Sequence, residues 1–546
     1  MMFFRFFQRL LGARGLSARK ALLTTVLFAA FGLMSAFASH SIAQPGQESP
    51  DDLDAIYERL ETRGYDKATF ALLERYVAGN GAGVDEALMT LGRRYETLKA
   101  HDKAAGAFAR VIAEFQASPL RSEALLGLGA LRYRTGRAQE ALSLLKSVAS
   151  STDAPALVRA KAKLLVKEIE KAAYIETSGG HGKAAAIGAL LPMKGAYARF
   201  GDDALKGILL AANVFGASPE SAGNEVILKD AGEGGAGAIS AMAALASDAR
   251  VAGVIGPLSS ASASEAARSS EASGISMMAL SQKEMPFDAR GYVFRNFPTL
   301  DDQAAAIVDY SCRKGNKTHV ILYPQNNYGV ELARLFAKEA AKCGASIVAE
   351  AGYKPGTTDF GQIIRQAFGV KVKERKEGRR QIREYIPSVK ADALFIPDSY
   401  ESIGLIAPYL EYHSIKDVRL LGTSAWNSSS LAALGGKHVE GAVFVDGFFA
   451  GSTRPETVEF VRLFKETYGT EPGALEAHAY DGARMLIAAM QGASSEGDGN
   501  RRAVKDALIA VKGFRGATGD ISFVNGEARK KLFVLTIKGG RIVEMD

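Results

Sequence analysis

From about Ala184 onward the chain repeats one pattern: a short apolar run, a loop of Gly, Pro and polar residues, then an amphipathic stretch of helical period. The clearest copy is Ile187–Gly207, IGALLPMKGAYARFGDDALKG, where an apolar strand runs into Pro192 and a helix opens near Asp202. That order predicts a β-loop-α unit. Its loop leaves the N–H groups of the helix start facing a crevice, where they can hold an anionic or polar ligand. Strands are expected at Ala185–Leu191, Glu225–Lys229, Val251–Ile255, Ser276–Leu280, His319–Tyr323, Ser346–Tyr353, Ala393–Pro397, Arg419–Thr423, Gly441–Gly447 and Phe533–Lys538, with helices between. Near-continuous Val/Ile/Leu strands alternating with helices argue for parallel sheets covered on both faces. Roughly 360 residues of this pattern exceed what one sheet takes, so two α/β lobes are expected over 184–546.

Before the Gly-rich linker 178–183 the pattern is different. The helical domain expected over 44–177 starts with a polar tether, QPGQESP at 44–50, and carries helical periodicity from Asp51 to about Thr177. Leu91, Gly92, Ala104 and Phe108 recur as Leu128, Gly129, Ala141 and Leu145. The small residues let paired helices approach, and the large ones fill the seam. The repeat resembles a tetratricopeptide array, with Leu53–Val77 as an atypical first pair and Ala156–Ile175 as a capping helix. Such arrays present a concave surface to proteins or peptides, so a protein partner is expected there; a purely structural appendage is the alternative.

Residues 1–43 hold five basic residues (Arg5, Arg9, Arg14, Arg19, Lys20) and no acid, followed by the apolar run Ala21–Phe37. With small residues at Ala36–Ala38 or Ser41–Ala43, this reads as a secretory signal, an uncleaved anchor being the alternative. No Cys lies nearby for a lipid anchor. Without these five residues the net charge falls from +7 to +2, so a nucleic-acid partner has little electrostatic support. Export is expected, to a compartment where a disulfide persists. Cys312 and Cys343, the two cysteines, fall near the ends of successive helices flanking strand His319–Tyr323. A bridge between them is expected, with two buried free thiols as the alternative. Neither has a Cys or His at ligand spacing, so no metal is expected.

Chemistry-bearing motifs are sparse. GEGGAG at Gly232–Gly237 fits a dinucleotide fingerprint but follows the second strand of its domain rather than the first, so no nucleotide cofactor is expected. The linker lacks the Ser/Thr of a phosphate loop. No nucleophile elbow or zinc-helix motif occurs. His319, His413, His438 and His478 stand singly and read as surface or capping residues; Asp51–Asp52, Asp202–Asp203 and Asp301–Asp302 read as helix openers. No enzyme activity is expected. Polar residues instead follow successive strands: Gly256–Ser260, Ser281 to Lys283, Tyr328 with Gly329, Asp398 to Tyr400, and Ser424, Trp426 and Asn427. Loops at strand C-termini make the ligand crevice of open α/β sheets.

These segments resemble the leucine-binding-protein family of type I periplasmic binding proteins. The likeness is carried by GPLSS at Gly256–Ser260, YVFRNFPTLDDQ at Tyr292–Gln303, NNYG at Asn326–Gly329, TDFG at Thr358–Gly361, VEGAVFVDGFF at Val439–Phe449 and AYDGARML at Ala479–Leu486. It implies a two-lobed type I periplasmic-binding module after the all-α tetratricopeptide-like domain, closing about crossovers near Asn296, Phe444 and Phe514. A small polar solute would bind between the lobes. Residue by residue it implies a pocket lined by Phe200, a carboxylate held by Ser260, help from Ser281, and second-lobe tyrosines at Tyr328 and Tyr400. Two positions depart from the family pattern: Lys283 replaces a Thr, and Ser424 stands where the acid that holds an α-ammonium belongs, with Asp398 or Glu401 as substitutes. The layout also resembles penicillin-binding-protein activators, which implies a scaffold regulating cell-wall synthesis as the alternative to transport. The partner would then be a cell-wall synthase rather than a transporter permease. The basic segment Lys371–Arg383 reads as a solvated charged helix.

Overall fold

The computed structural model describes residues 52–63, 65–79, 81–178, 186–215, 224–232, 234–281, 291–377, 380–493 and 501–545. The expected signal segment and residues 179–183 of the linker lie outside them. The chain divides into two compact units, Met1–Ala82 and Gly83–Asp546. In the first, helices α1 (Leu53–Arg63) and α2 (Lys67–Tyr76) form a pair. Asp66 caps α2 by accepting from the Thr69 N–H at 2.7 Å, and the Tyr76 hydroxyl donates to the Ala82 carbonyl at 2.6 Å.

The second unit opens with five helices: α3 (Val84–Thr97), α4 (His101–Glu114), α5 (Arg121–Arg134), α6 (Ala138–Ser150) and α7 (Ala156–Ser178). The recurring small and large positions meet across successive pairs. Gly92 of α3 lies against the Phe108 ring of α4, and Gly129 of α5 lies against Leu145 of α6. A side chain at either glycine would displace its partner. The segment is more than a tethered appendage. Ala160 of α7 is fully buried in the core of the following lobe, and Glu168 pairs with Lys229 at 2.8 Å. Lys161 pairs with Asp202.

The first lobe contains β1 (Ala186–Leu191), α8 (Ala198–Ala211), β2 (Glu225–Asp230), α9 (Gly235–Ser247), β3 (Val251–Ile255), α10 (Ser260–Ser273), β4 (Ser276–Ala279) and β5 (Val293–Arg295). The chain then crosses to the second lobe: α11 (Leu300–Arg313), β6 (Thr318–Pro324), α12 (Asn327–Lys342), β7 (Ser346–Tyr353), α13 (Gly361–Ala367), β8 (Lys371–Glu377), β9 (Arg380–Ile386), β10 (Ala393–Phe395), α14 (Tyr400–Tyr412), β11 (Arg419–Gly422), α15 (Leu431–Gly435) and β12 (Val443–Asp446). It returns through α16 (Pro455–Tyr468), α17 (Ala474–Ala493), α18 (Arg501–Ile509), β13 (Phe514–Gly516), β14 (Gly519–Val524) and β15 (Glu527–Arg529), and crosses once more to β16 (Phe533–Lys538) and β17 (Arg541–Glu544). The sheets run β13-β14-β15-β5-β4-β3-β1-β2 and β17-β16-β12-β11-β10-β6-β7. β1 to β5 pair in parallel, as do β6, β7, β10, β11 and β12, while the late strands add antiparallel edges.

Three expectations need correction. The third crossover is the short Lys530–Leu532 link between β15 and β16; Phe514 lies inside the first lobe, in β13. The basic segment 371–383 belongs to an antiparallel hairpin, β8–β9, which pairs with no other strand. Its charges face each other across strands, with Arg383 and Glu374 at 3.0 Å, so charge alone did not separate helix from hairpin. Asp202 and Asp203 sit in the second turn of α8, which opens at Ala198, and bind Lys161 and Lys206. Asp302, by contrast, completes a capping box with Thr299 at the start of α11.

Cys312 and Cys343 are joined, with Cα atoms 6.6 Å apart. The bridge closes a loop of 31 residues, so the double variant Cys312→Ala/Cys343→Ala is expected to lose about 2–4 kcal/mol in urea unfolding. No change would mean that the reduced chain already holds α11 against α12.

Candidate functional site

On the first lobe, the strand exits are tight because two glycines permit close backbone approach. A Cβ on Gly201 would strike the Pro192 carbonyl, and one on Gly256 the Leu190 carbonyl. At Gly256 the positive φ of 102° also favours glycine. These contacts shape a small pocket whose lining includes Pro192, Tyr197, Gly232, Leu258 and Ser259. Ser259 caps α10 by accepting from the Ser262 N–H at 3.2 Å, which frees Ser260 to point elsewhere. The Ser260 and Ser281 hydroxyls lie 3.4 Å apart, so two of the expected residues share one wall. Phe200 is half exposed on α8, its ring centroid 6.4 Å from that of Tyr197. Lys283 lies outside the described residues.

On the second lobe, Tyr328 opens α12 and its hydroxyl lies 2.9 Å from the Thr423 hydroxyl. Burial pushes this phenol up to about 12, so it stays neutral and available for hydrogen bonding. The Ser424 N–H donates to Gln303 Oε1 at 3.1 Å, tying the end of β11 to α11. Asp398, after β10, accepts from the Tyr353 hydroxyl at 2.7 Å; burial, then this carboxylate, raises the Tyr353 phenol. Tyr400 is half-buried, and hydrogen bonding to Glu401 pushes its phenol up. At the end of β12, Asp446 accepts from Asn427 Nδ2 at 2.8 Å and from the Gly447 N–H at 2.6 Å. Burial raises Asp446 to about 7.

Trp426 is not a wall residue. It is fully enclosed in the second-lobe core, against Phe444 and the Gly422 backbone, because its large ring gains more from burial than from the cleft. Three histidines also differ from expectation. His319 and His413 are buried in the second lobe, and His478 is buried in α17. His319 lies 2.8 Å from the Ser311 hydroxyl. Sequence reasoning missed Tyr353, Thr423, Gln303 and Asp446. Asp446, Thr423 and Tyr353 had an available signal, a polar residue at the C-terminal end of a strand, and Gln303 had none. Among the described residues no group of three or more His, Cys, Asp or Glu could hold a metal, and no helix is long and apolar enough to cross a membrane.

Two lobes with parallel sheets, three crossovers and polar loops at the strand C-termini define a hinged binding protein. The chain belongs to the periplasmic binding protein family, whose model matches residues 185–375 and 380–541. The break in the match falls at the tip of the β8–β9 hairpin, and α1 to α7 lie outside it. Solved structures agree in fold. A leucine-binding protein from Thermotoga maritima is 24% identical, with a TM-score of 0.50 over 66% of this chain and 98% of its own. A branched-chain amino acid transporter substrate-binding protein from Streptococcus pneumoniae, in complex with isoleucine, is 22% identical, with a TM-score of 0.50 over 66% of this chain and all 100% of its own. An ABC transporter substrate-binding protein from Sphaerobacter thermophilus is 22% identical, with a TM-score of 0.53 over 66% of this chain and 96% of its own. No curated protein sequence matches the chain.

Proposed function

We propose that this is an exported, non-enzymatic solute-binding protein that holds a small polar ligand between its lobes, for transport or signalling, with the helical segment engaging a protein partner. The observation that carries the reading is the pair of hydroxyl-rich walls, Ser260 with Ser281 and Tyr328 with Thr423, each at the C-terminal ends of parallel strands. The absence of an acid–base pair among these residues supports a binding role over catalysis.

The ligand is not an ordinary branched-chain amino acid. Ser424 supplies no counter-charge for an α-ammonium, Asp398 is engaged by Tyr353, Glu401 is engaged by Ser399 and Tyr400, and Asp446 is buried against Asn427. Lys283 adds positive charge in the sequence of the first-lobe loop. Two unit charges 4 Å apart interact by about 4 kcal/mol at an effective dielectric of 20, so a missing acid weighs heavily. Leucine, isoleucine and valine are expected to give no measurable heat in calorimetric titration of the mature protein, and the true ligand to be neutral or anionic. Micromolar leucine binding would overturn this. A thermal-shift screen with amides, amino acids and muropeptide fragments identifies the ligand class, because a ligand of the native state alone raises the midpoint. The docking of α7 onto the first lobe favours a second reading, a scaffold regulating cell-wall synthesis through a partner of the helices. No shift with any solute, together with retained capture of a cell-wall synthase, would select it.

A further inference from the structure

We propose that the Lys530 ammonium pins the interlobe hinge, acting as a positioning residue for lobe closure. Lys530 begins the third crossover, between β15 and β16. Its Nζ lies 3.0 Å from Asn296 Oδ1 at the start of the first crossover, 2.9 Å from His478 Nδ1 of α17, and 3.0 Å from Thr518 Oγ1 before β14. One side chain thus joins two crossovers to each other and to the first lobe.

All three partners accept. Asn296 Nδ2 donates to the His478 carbonyl at 3.1 Å, which leaves Oδ1 facing the lysine. The Thr518 hydroxyl donates to Asp481 Oδ2 at 2.7 Å, which leaves an oxygen lone pair for Nζ. Burial and then Lys530 hold His478 well below its ordinary range, so its ring is neutral and Nδ1 offers a lone pair. Three acceptors around one nitrogen match the three donors of an ammonium; a neutral amine has two.

The charged surroundings come from every element packed on the pin. Asp481 faces it from α17, Asp446 from the end of β12 at the second crossover, and Asp302 from α11. Arg529 lies 3.6 Å from Asp302, and Arg295 of β5 lies 2.8 Å from Glu527 of β15. Burial lowers Lys530 to about 7, the three carboxylates opposing that shift. The proton therefore leaves as pH rises through neutrality, and with it goes one of the three bonds. Below neutrality three bonds tie the crossovers; above it two remain and the tie is looser. The mechanism rests on the two-lobed fold and needs no ligand.

The test is Förster transfer between dyes on Ile239→Cys of α9 and Val330→Cys of α12, both exposed, in the full mature chain with its disulfide intact. Between pH 5.5 and 8.5 the interlobe distance distribution of the otherwise native protein is expected to pass from narrow to broad with a midpoint near 7. Lys530→Met is expected to be broad at every pH, and Asp446→Asn to keep the transition. A distribution unchanged with pH overturns the proposal. So does loss of the transition in Asp446→Asn, which would make that carboxylate the titrating group, or a circular-dichroism change in step with it, which would make unfolding the cause. Should Lys530→Met fail to fold, the native titration and Asp446→Asn decide the matter.

Discussion

Asp481→Ala is expected to lower the stability of the Gly83–Asp546 unit by about 2–5 kcal/mol, because each buried donor left without an acceptor costs about 1–3 kcal/mol. Its carboxylate is fully buried and accepts from the Ala517 and Thr518 N–H groups, both at 2.8 Å, and from the Thr518 hydroxyl. Alanine would orphan two buried N–H donors that link α17 to the β13–β14 turn. The Lys530 ammonium nearby would lose a counter-charge at the same time. Urea unfolding followed by tryptophan fluorescence reads the shift, since the chain has one Trp, in the same unit. Asp481→Asn keeps the shape and one acceptor and should cost less. A loss below about 1 kcal/mol for Asp481→Ala would mean that water reaches the vacated site.

Trp426→Ala is expected to cost a comparable amount, about 3–5 kcal/mol, through the cavity left in the second-lobe core. The ring is fully buried between Phe444 and the backbone of Gly422, where no side chain fits. Trp426→Phe should recover much of the loss, since the indole N–H has no hydrogen-bond partner to forfeit. Circular dichroism in urea measures both. If Trp426→Ala altered solute binding with stability unchanged, the residue would line the cleft after all.

The central parallel strands were legible because burial on both faces writes an uninterrupted apolar run, as in Val251–Ile255; Ser346–Tyr353 at the sheet edge and the antiparallel Phe533–Lys538 were legible instead from alternation, one face being more buried than the other. Strands β5, β13 and β15 were not, each being three residues long and held by its neighbours rather than by its own composition. The half-exposed edge strand β17 and the charged hairpin β8–β9 have no such run either. The cleft was legible in part for the same geometric reason: the residue after a buried strand must emerge at the sheet edge. Trp426 follows that rule in sequence and breaks it in space, because a short 3-10 turn folds its ring back under the sheet. The hinge cluster was invisible. Asn296, His478, Asp481 and Thr518, all buried, and the half-buried Lys530 meet only because three crossovers converge, and a buried polar side chain looks in sequence like any exposed one.

The seating of α7 on the first lobe has a mechanical consequence. Ala160, Lys161 and Glu168 fasten α7 to that lobe, so in the closure proposed above the two would move together as a frame, with the second lobe as the arm. Whatever gripped α7 would travel with the frame. A protein that also touched the arm would be stretched or relaxed each time the cleft shut. Thermodynamic reciprocity then requires that its attachment shift solute affinity by the same factor that solute shifts its attachment.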